Sequence, residues 1–313
     1  MANVKLGTKA VGSIVKIKVN GTSKDFIVVH QGKPSSVYDD SCNGTWLLMK
    51  DIYENRAWHS SNTNDYANST IHSYLNSTFL NLFESNIKNA IKQVKIPYRK
   101  GHGTSTTVTS GSNGLSAKIF LLSTTETSFS YSYMPRGEGA ELAYFKGCTD
   151  NGSDSKRVAY LNGSATSWWL RSPGCNITSK RALVVGSAGT SGDTGCSSSY
   201  GIRPALILPS TLLVSDDGTV GVNTAPTVST DGAALGQKNA AFAWKYTVRD
   251  ADGDTLTVTE KLDGKTTKAR TGAASGTALT FEQTASAAGF QKILNGNHTI
   301  TVEVSDGEET VST

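Results

Sequence analysis

The sequence predicts an α+β chain: a mixed domain over residues 1–222, followed by an all-β sandwich over residues 223–313. Three observations predict it. Ser and Thr number 37 each and Gly 31, while AVILMFWYC residues make up only 37%, a composition of strands joined by polar turns rather than of a helical bundle. Helix-period stretches occur between residues 69 and 91, among strand-like segments. The style of the chain changes at Asn223-Thr224-Ala225-Pro226, which follows the polar turn Asp216-Asp217-Gly218 and reads as a linker.

The elements follow in order. Gly12–Val19 alternates around Ile14, Val15, Ile17 and Val19. Asn20-Gly21 marks a turn, and Asp25–His30 is the return strand. Trp46–Met49 is an apolar run suited to a buried strand. A first helix is expected over Ser69–Leu75, capped by Asn68 or Ser69. A second is expected from Ser77 or Thr78 to Ile91, with Phe79, Leu82, Phe83, Ile87, Ala90 and Ile91 on one buried face. Lys118–Leu122, Trp168–Arg171 and Ala182–Val185 read as strands, and Gly201–Leu208 as one last core strand. Residues 101–114, 129–157 and 186–200 read as irregular surface stretches.

After the linker, strands are expected at Thr227–Ser229, Ala241–Val248, Thr255–Leu262, Thr266–Arg270, Ala278–Phe281 and His298–Ser305, with a short helix in Thr284–Leu294. Asp252-Gly253-Asp254, Asp263-Gly264 and Asn295-Gly296-Asn297 supply turns.

Charge and cysteines narrow the function classes. Residues 1–222 carry 22 Lys+Arg against 15 Asp+Glu (+7), and residues 223–313 carry 8 against 11 (−3). The lysines are scattered rather than striped, so no nucleic-acid partner is expected. No apolar run approaches the ~18–20 residues of a membrane span, so no membrane partner is expected. The opening Met-Ala-Asn-Val-Lys-Leu-Gly-Thr-Lys lacks the apolar core of a secretory leader, so ordinary secretion is not expected and the eight Asn-x-Ser/Thr sequons should stay unmodified. Cys42, Cys148, Cys175 and Cys196 form no C-x-x-C pair. Cys175 and Cys196 flank one segment, where either a disulfide across a hairpin or two free thiols fits.

The most specific pattern is Trp168-Trp169-Leu170-Arg171-Ser172-Pro173-Gly174, followed by Gly201-Ile202-Arg203-Pro204-Ala205-Leu206-Ile207-Leu208. Upstream stand Trp58–Ser69, Leu75–Leu80 and Ile96-Pro97-Tyr98. Together these resemble DUF6273, a bacterial and phage domain of unknown function, over roughly residues 10–210. The resemblance implies a fold related to C-type-lectin-like and formylglycine-generating-enzyme-like proteins. Those enzymes use a close cysteine pair to bind copper. Here Cys175 and Cys196 stand 21 positions apart without that motif, so copper chemistry is not expected. No G-x-S-x-G accompanies the five histidines either, and the chain is expected not to be an enzyme. Residues 223–226, 246–256 and 299–307 resemble the Ig-like or cadherin-like modules added to phage virion proteins and bacterial surface proteins.

The module pairing implies a non-enzymatic virion protein of a phage or prophage, on capsid or tail, oligomeric on the particle. Other virion proteins and host-surface glycans are the partners it implies. The alternative is a carbohydrate-binding adhesin of a Gram-positive surface. The candidate ligand residues are Tyr131, Tyr133 and Tyr144, whose ring faces suit sugars, and the guanidiniums of Arg171 and Arg203. Both arginines follow apolar residues and read first as architectural, pairing with carboxylates or loop carbonyls, with the ligand-facing guanidinium as the alternative. Asp250, Asp252 and Asp254 place carboxylates at alternate positions, which suits Ca²⁺, although Lys261 stands where an EF-hand has its Glu; a metal-free turn has the same composition.

Overall fold

The computed structural model describes the chain except for residues 1–3, 62, 102–106, 130–136, 150–151, 175–179, 233, 239–240 and 284–296. Tyr131, Tyr133, Cys175 and the helix expected over 284–294 therefore lie outside the described residues. The chain is mostly β, 42% strand against 14% helix. It divides into two compact units, residues 2–222 and 223–313.

The main strands of the first unit are β1 (Ile14–Val19), β2 (Thr22–Gln31), β3 (Thr45–Met49), β4 (Glu54–Ala57), β5 (Ile119–Phe120), β6 (Trp168–Pro173), β7 (Arg181–Val185), β8 (Ser191–Gly195), β9 (Ser199–Ile202) and β10 (Ala205–Leu208). One five-stranded sheet has the order β5-β10-β3-β2-β1 and is antiparallel throughout. The other has the order β8-β7-β6-β9-β4, with β6 and β9 parallel. The β1–β2 hairpin turns on Asn20 (φ 50°) and Gly21 (φ 70°), both left-handed as a type I′ turn requires.

Neighbouring residues of one strand point to opposite faces. The central strands of the first sheet are covered on both faces, while edge strand β1 leaves Ile14 and Lys18 exposed. Phe26, Val28, Leu47, Met49, Leu206 and Leu208 enter one core, which they share with the helical segment. Ile27, Val29, Trp46, Leu48, Ala205 and Ile207 enter a second core. That is why β3 and β10 read as unbroken apolar runs. Trp169 belongs to the first core and Trp168 to the second, and both are fully buried.

Two expected elements differ. Helix α1 (Thr70–Tyr74) is capped by the Ser69 hydroxyl, which accepts from the His72 amide at 3.1 Å. It continues through a π turn (Leu75–Phe79) and a 3-10 turn (Leu80–Leu82), then stops at extended Phe83 before α2 (Ser85–Ala90). The interruption is tertiary. The Asn20 amide donates to the Leu82 carbonyl at 2.8 Å, and Val19 pairs with Phe83. Gly201–Leu208 is likewise two strands, β9 in one sheet and β10 in the other. Pro204 lacks the amide that a continuous ladder needs, and the chain crosses between sheets there.

Residues 186–200 are not a free loop, because β8 and the start of β9 occupy them. Cys196 is a fully buried thiol, and because Cys175 lies outside the described residues, so does the candidate bridge between them. Burial pushes the pKa of Cys196 up to about 12. Among the described residues no helix is long and apolar enough to cross a membrane.

The second unit is a two-sheet sandwich. Its strands are β11 (Thr227–Thr230), β12 (Phe242–Arg249), β13 (Leu256–Leu262), β14 (Lys265–Ala273), β15 (Thr277–Gln283), β16 (Ile300–Ser305) and β17 (Thr310–Ser312). The sheets run β11-β12-β15 and β14-β13-β16-β17. Trp244, Tyr246, Val248 and Phe281 from one meet Leu256, Val258, Val302 and Val304 from the other. Tyr246 donates to buried Glu260 at 2.6 Å, and Arg270 on edge strand β14 pairs with the same carboxylate.

Candidate functional site

Of the residues singled out in the sequence, Arg171 lies in a buried polar network rather than on an open pocket. Arg171 projects from β6 with no exposure. Its guanidinium is bidentate on Glu126, Nη1 to Oε2 at 2.5 Å and Nη2 to Oε1 at 2.7 Å. It also donates to the carbonyls of Pro97 (3.0 Å), Leu121 (2.9 Å) and Glu138 (3.3 Å). Glu126 further accepts from the Tyr38 hydroxyl at 2.8 Å and the Ser123 amide at 2.9 Å. The Glu138 carboxylate accepts from the Ser172 hydroxyl at 2.5 Å and the Arg99 amide at 3.1 Å.

Burial works against the charge on Arg171, yet the adjoining Glu126 carboxylate outweighs it and raises the pKa of the guanidinium above its usual value. Burial raises the pKa of Glu138, against the opposing pull of Arg171. Gly139 (φ 104°) passes so close to Tyr38 that a Cβ there would run into the phenol hydroxyl.

Arg203 is also buried. It donates to the carbonyls of Met49 and Lys50, each at 2.9 Å, and lies 5.0 Å from the Trp168 ring centroid. Burial lowers its pKa to about 10. Neither Arg171 nor Arg203 is presented to a ligand. Both hold backbone that the sheets alone leave unpaired, which corrects the ligand-facing reading. Tyr144 is half-buried in a 3-10 turn (Ala143–Phe145), edge-on to Phe145 at 5.0 Å, with Lys156 5.8 Å from its ring centroid.

Arg157 escaped the sequence reading. It is fully buried and spreads its donors over loop carbonyls: Thr127 (2.8 Å), Ser128 (2.9 Å), Thr149 (2.6 Å), Gly152 (3.4 Å) and Gly189 (3.5 Å). It stacks 3.8 Å from the Phe129 centroid. No local pattern marks an arginine for this task, because its partners come from four separate stretches of chain.

The separated motifs also bind one another. Trp58 Nε1 donates to the Leu170 carbonyl at 2.9 Å, and Asn64 donates to the Gly174 carbonyl at 3.3 Å. The Leu121 amide donates to the Tyr66 hydroxyl at 3.0 Å. A Cβ at Gly201 would meet the Ile52 side chain at 2.7 Å, so the close approach of β9 to that side chain needs glycine.

Two surface features stand outside this framework. A cleft of about 300 Å³ is lined by Ser23, Lys24, Asp25, Met49, Asp51, Ile52 and Tyr53. In the second unit, Asp250, Asp252 and Asp254 bring carboxylate oxygens within 4.8 Å of one another.

Fold and contacts together define a β-rich two-unit protein whose recurring motifs form the internal frame of its first unit. The chain belongs to the DUF6273 family, a domain of unknown function, which matches residues 43–210. Comparison with curated proteins finds no match. Among solved structures, the fibronectin(III)-like modules of Clostridium thermocellum CbhA are similar at 19% identity and a TM-score of 0.21. That likeness covers 44% of this chain and 63% of that one.

Proposed function

We propose that this protein is a non-enzymatic structural protein of a phage or prophage-derived virion, carried on the capsid or tail. In this reading the first unit is C-type-lectin-like and displays rigid loops. The second is an Ig-like sandwich that acts as spacer or adhesive module. Other virion proteins and host-surface glycans are its partners.

The observation that carries the reading is the use of buried charge. Arg157 and Arg171 spend their donors on loop carbonyls and a buried carboxylate, which fixes irregular segments as a constant surface. Loops held by a rigid scaffold are the usual seat of recognition. The test is electron microscopy of purified particles with mass spectrometry of their proteins. The chain is expected at constant stoichiometry on the particle. Its absence from purified particles, with abundance in the lysate, overturns the reading.

The cleft favours a second reading, a carbohydrate-binding adhesin. Asp25 and Asp51 offer acceptors for hydroxyls beside the Tyr53 ring. A glycan array tests the cleft reading, which requires millimolar or tighter sugar binding that Asp51→Asn abolishes. The particle measurement separates the two readings, since an adhesin of the cell surface is absent from purified particles.

A further inference from the structure

We infer that the turn between β12 and β13 binds a calcium-sized divalent cation through Asp250, Asp252 and Asp254, and that the ion steadies the start of the second unit. The inference is independent of the virion reading. The three carboxylate oxygens lie within 4.8 Å of one another, and every side-chain donor is a hard oxygen. A cation with Ca–O distances of about 2.4 Å can bridge oxygens nearly 5 Å apart, whereas Mg²⁺ at about 2.1 Å reaches only about 4.2 Å.

Asp250 points to a ligand on separate grounds. Its residue is only 7% exposed. Its Oδ1 accepts from the amides of Asp252 (2.8 Å) and Asp254 (3.0 Å). Its Oδ2 is buried with no hydrogen-bond partner. Among the described residues no Lys, Arg or His forms an ion pair with it. A buried carboxylate oxygen left in this state is costly, and a bound cation removes the cost. The carboxylate is also held in place. The Asp250 amide donates to Ser275 Oγ at 2.9 Å, and that hydroxyl donates back to the Asp250 carbonyl at 2.8 Å.

The consequence reaches the first residues of the unit. Asp252 Oδ2 accepts from the Thr224 amide at 2.6 Å, and Asn223 donates to Asp306 at 3.0 Å. An ion that fixes Asp252 fixes the acceptor on which residues 223–224 rest.

The experiment uses the full chain, freed of metal with chelator, in titration calorimetry with CaCl₂ and MgCl₂ and in thermal unfolding at 0 and 10 mM of each. One Ca²⁺ per chain is expected, at a Kd between about 10⁻⁵ and 10⁻³ M. Mg²⁺ is expected to bind at least ten-fold more weakly, and Ca²⁺ to raise the Tm of the second unit. Asp250→Asn keeps the Oδ1 acceptor and removes the charge. It is expected to weaken Ca²⁺ binding at least ten-fold and to unfold at a higher temperature than the parent when both lack metal. Asp254→Asn serves as a second variant, with the same loss of binding, should Asp250→Asn fail to fold. No Ca²⁺ binding at 10 mM, equal binding of Mg²⁺, or unchanged Ca²⁺ binding in either folded variant overturns the inference.

Discussion

In the first unit β3 and β10 are buried along their whole length. In the second, β12 and β13 alternate buried residues with more exposed ones. The difference follows from how many faces each sheet covers. The central strands of the first sheet lie between two cores and have no wet side, unlike edge strand β1, and residues of long loops such as Phe129 and Leu142 line the second core. Those long loops have few ladder partners, and buried backbone groups need partners. Arg157, Arg171 and Arg203 supply donors to ten backbone carbonyls, from Met49 to Gly189. In the sandwich, the described turn at Asp250 satisfies its own backbone, with Asp250 Oδ1 accepting from the amides of Asp252 and Asp254. Buried charge is thus a loop device in one unit, while in the other Glu260–Arg270 fastens an edge strand.

This contrast can be broken most directly at Arg171. Arg171→Ala strands Glu126 without its cation and should cost the first unit ~3–5 kcal/mol, read by chemical denaturation, with the sandwich transition unmoved. An unchanged first transition would remove the network from its role. Trp168→Ala and Trp169→Ala should each cost a similar ~3–5 kcal/mol, one from each core. If either kept its melting temperature, that ring would not be packing the core.

A smaller effect is expected from pH. Burial lowers the His72 pKa to about 4, against about 6.5 unfolded. The folded state therefore disfavours the proton. Its contribution is intact above pH 6.5 and is lost as pH falls from 6.5 toward 4. Glu138 has the opposite sign, since its raised pKa makes the folded state the better proton binder and offsets part of the loss at the acid end. His72→Gln should flatten the slope of first-unit stability between pH 6.5 and 5; an unaltered slope would assign it to another group. Arg157→Gln should show mainly in limited proteolysis, as faster cleavage within residues 127–157 while the cores stay cooperative. Uniform resistance would mean that the loops hold without the guanidinium. The smallest change is expected from ending the chain at Val222. The first unit should unfold at its usual midpoint, and a molten product would mean that it leans on the second.

Much of the framework was legible locally. Asn20-Gly21 forces a left-handed pair, and the hairpin of β1 and β2 follows with its register. The adjacent tryptophans of β6 had to face opposite sides of a strand, and they do. Asp250, Asp252 and Asp254 are close because an alternating array in one turn cannot be far apart. The choice between the two readings of Arg171 and Arg203, and the identity of their partners, were not legible. Both stand in apolar strands, and the same pattern suits a ligand contact or a buried clamp.

The sequence by itself determined the β-rich composition, most strand positions, the tight turns and the family, because each rests on residues a few positions apart. Tertiary structure alone decided three things. It stopped the helix at Phe83, where Asn20 claims the Leu82 carbonyl. It divided residues 201–208 between two sheets at Pro204. It turned Arg171 and Arg203 inward, onto partners 33 to 154 residues away in the chain. Each outcome is a hydrogen bond or packing contact between distant segments, and no local pattern of residues encodes its distant partner.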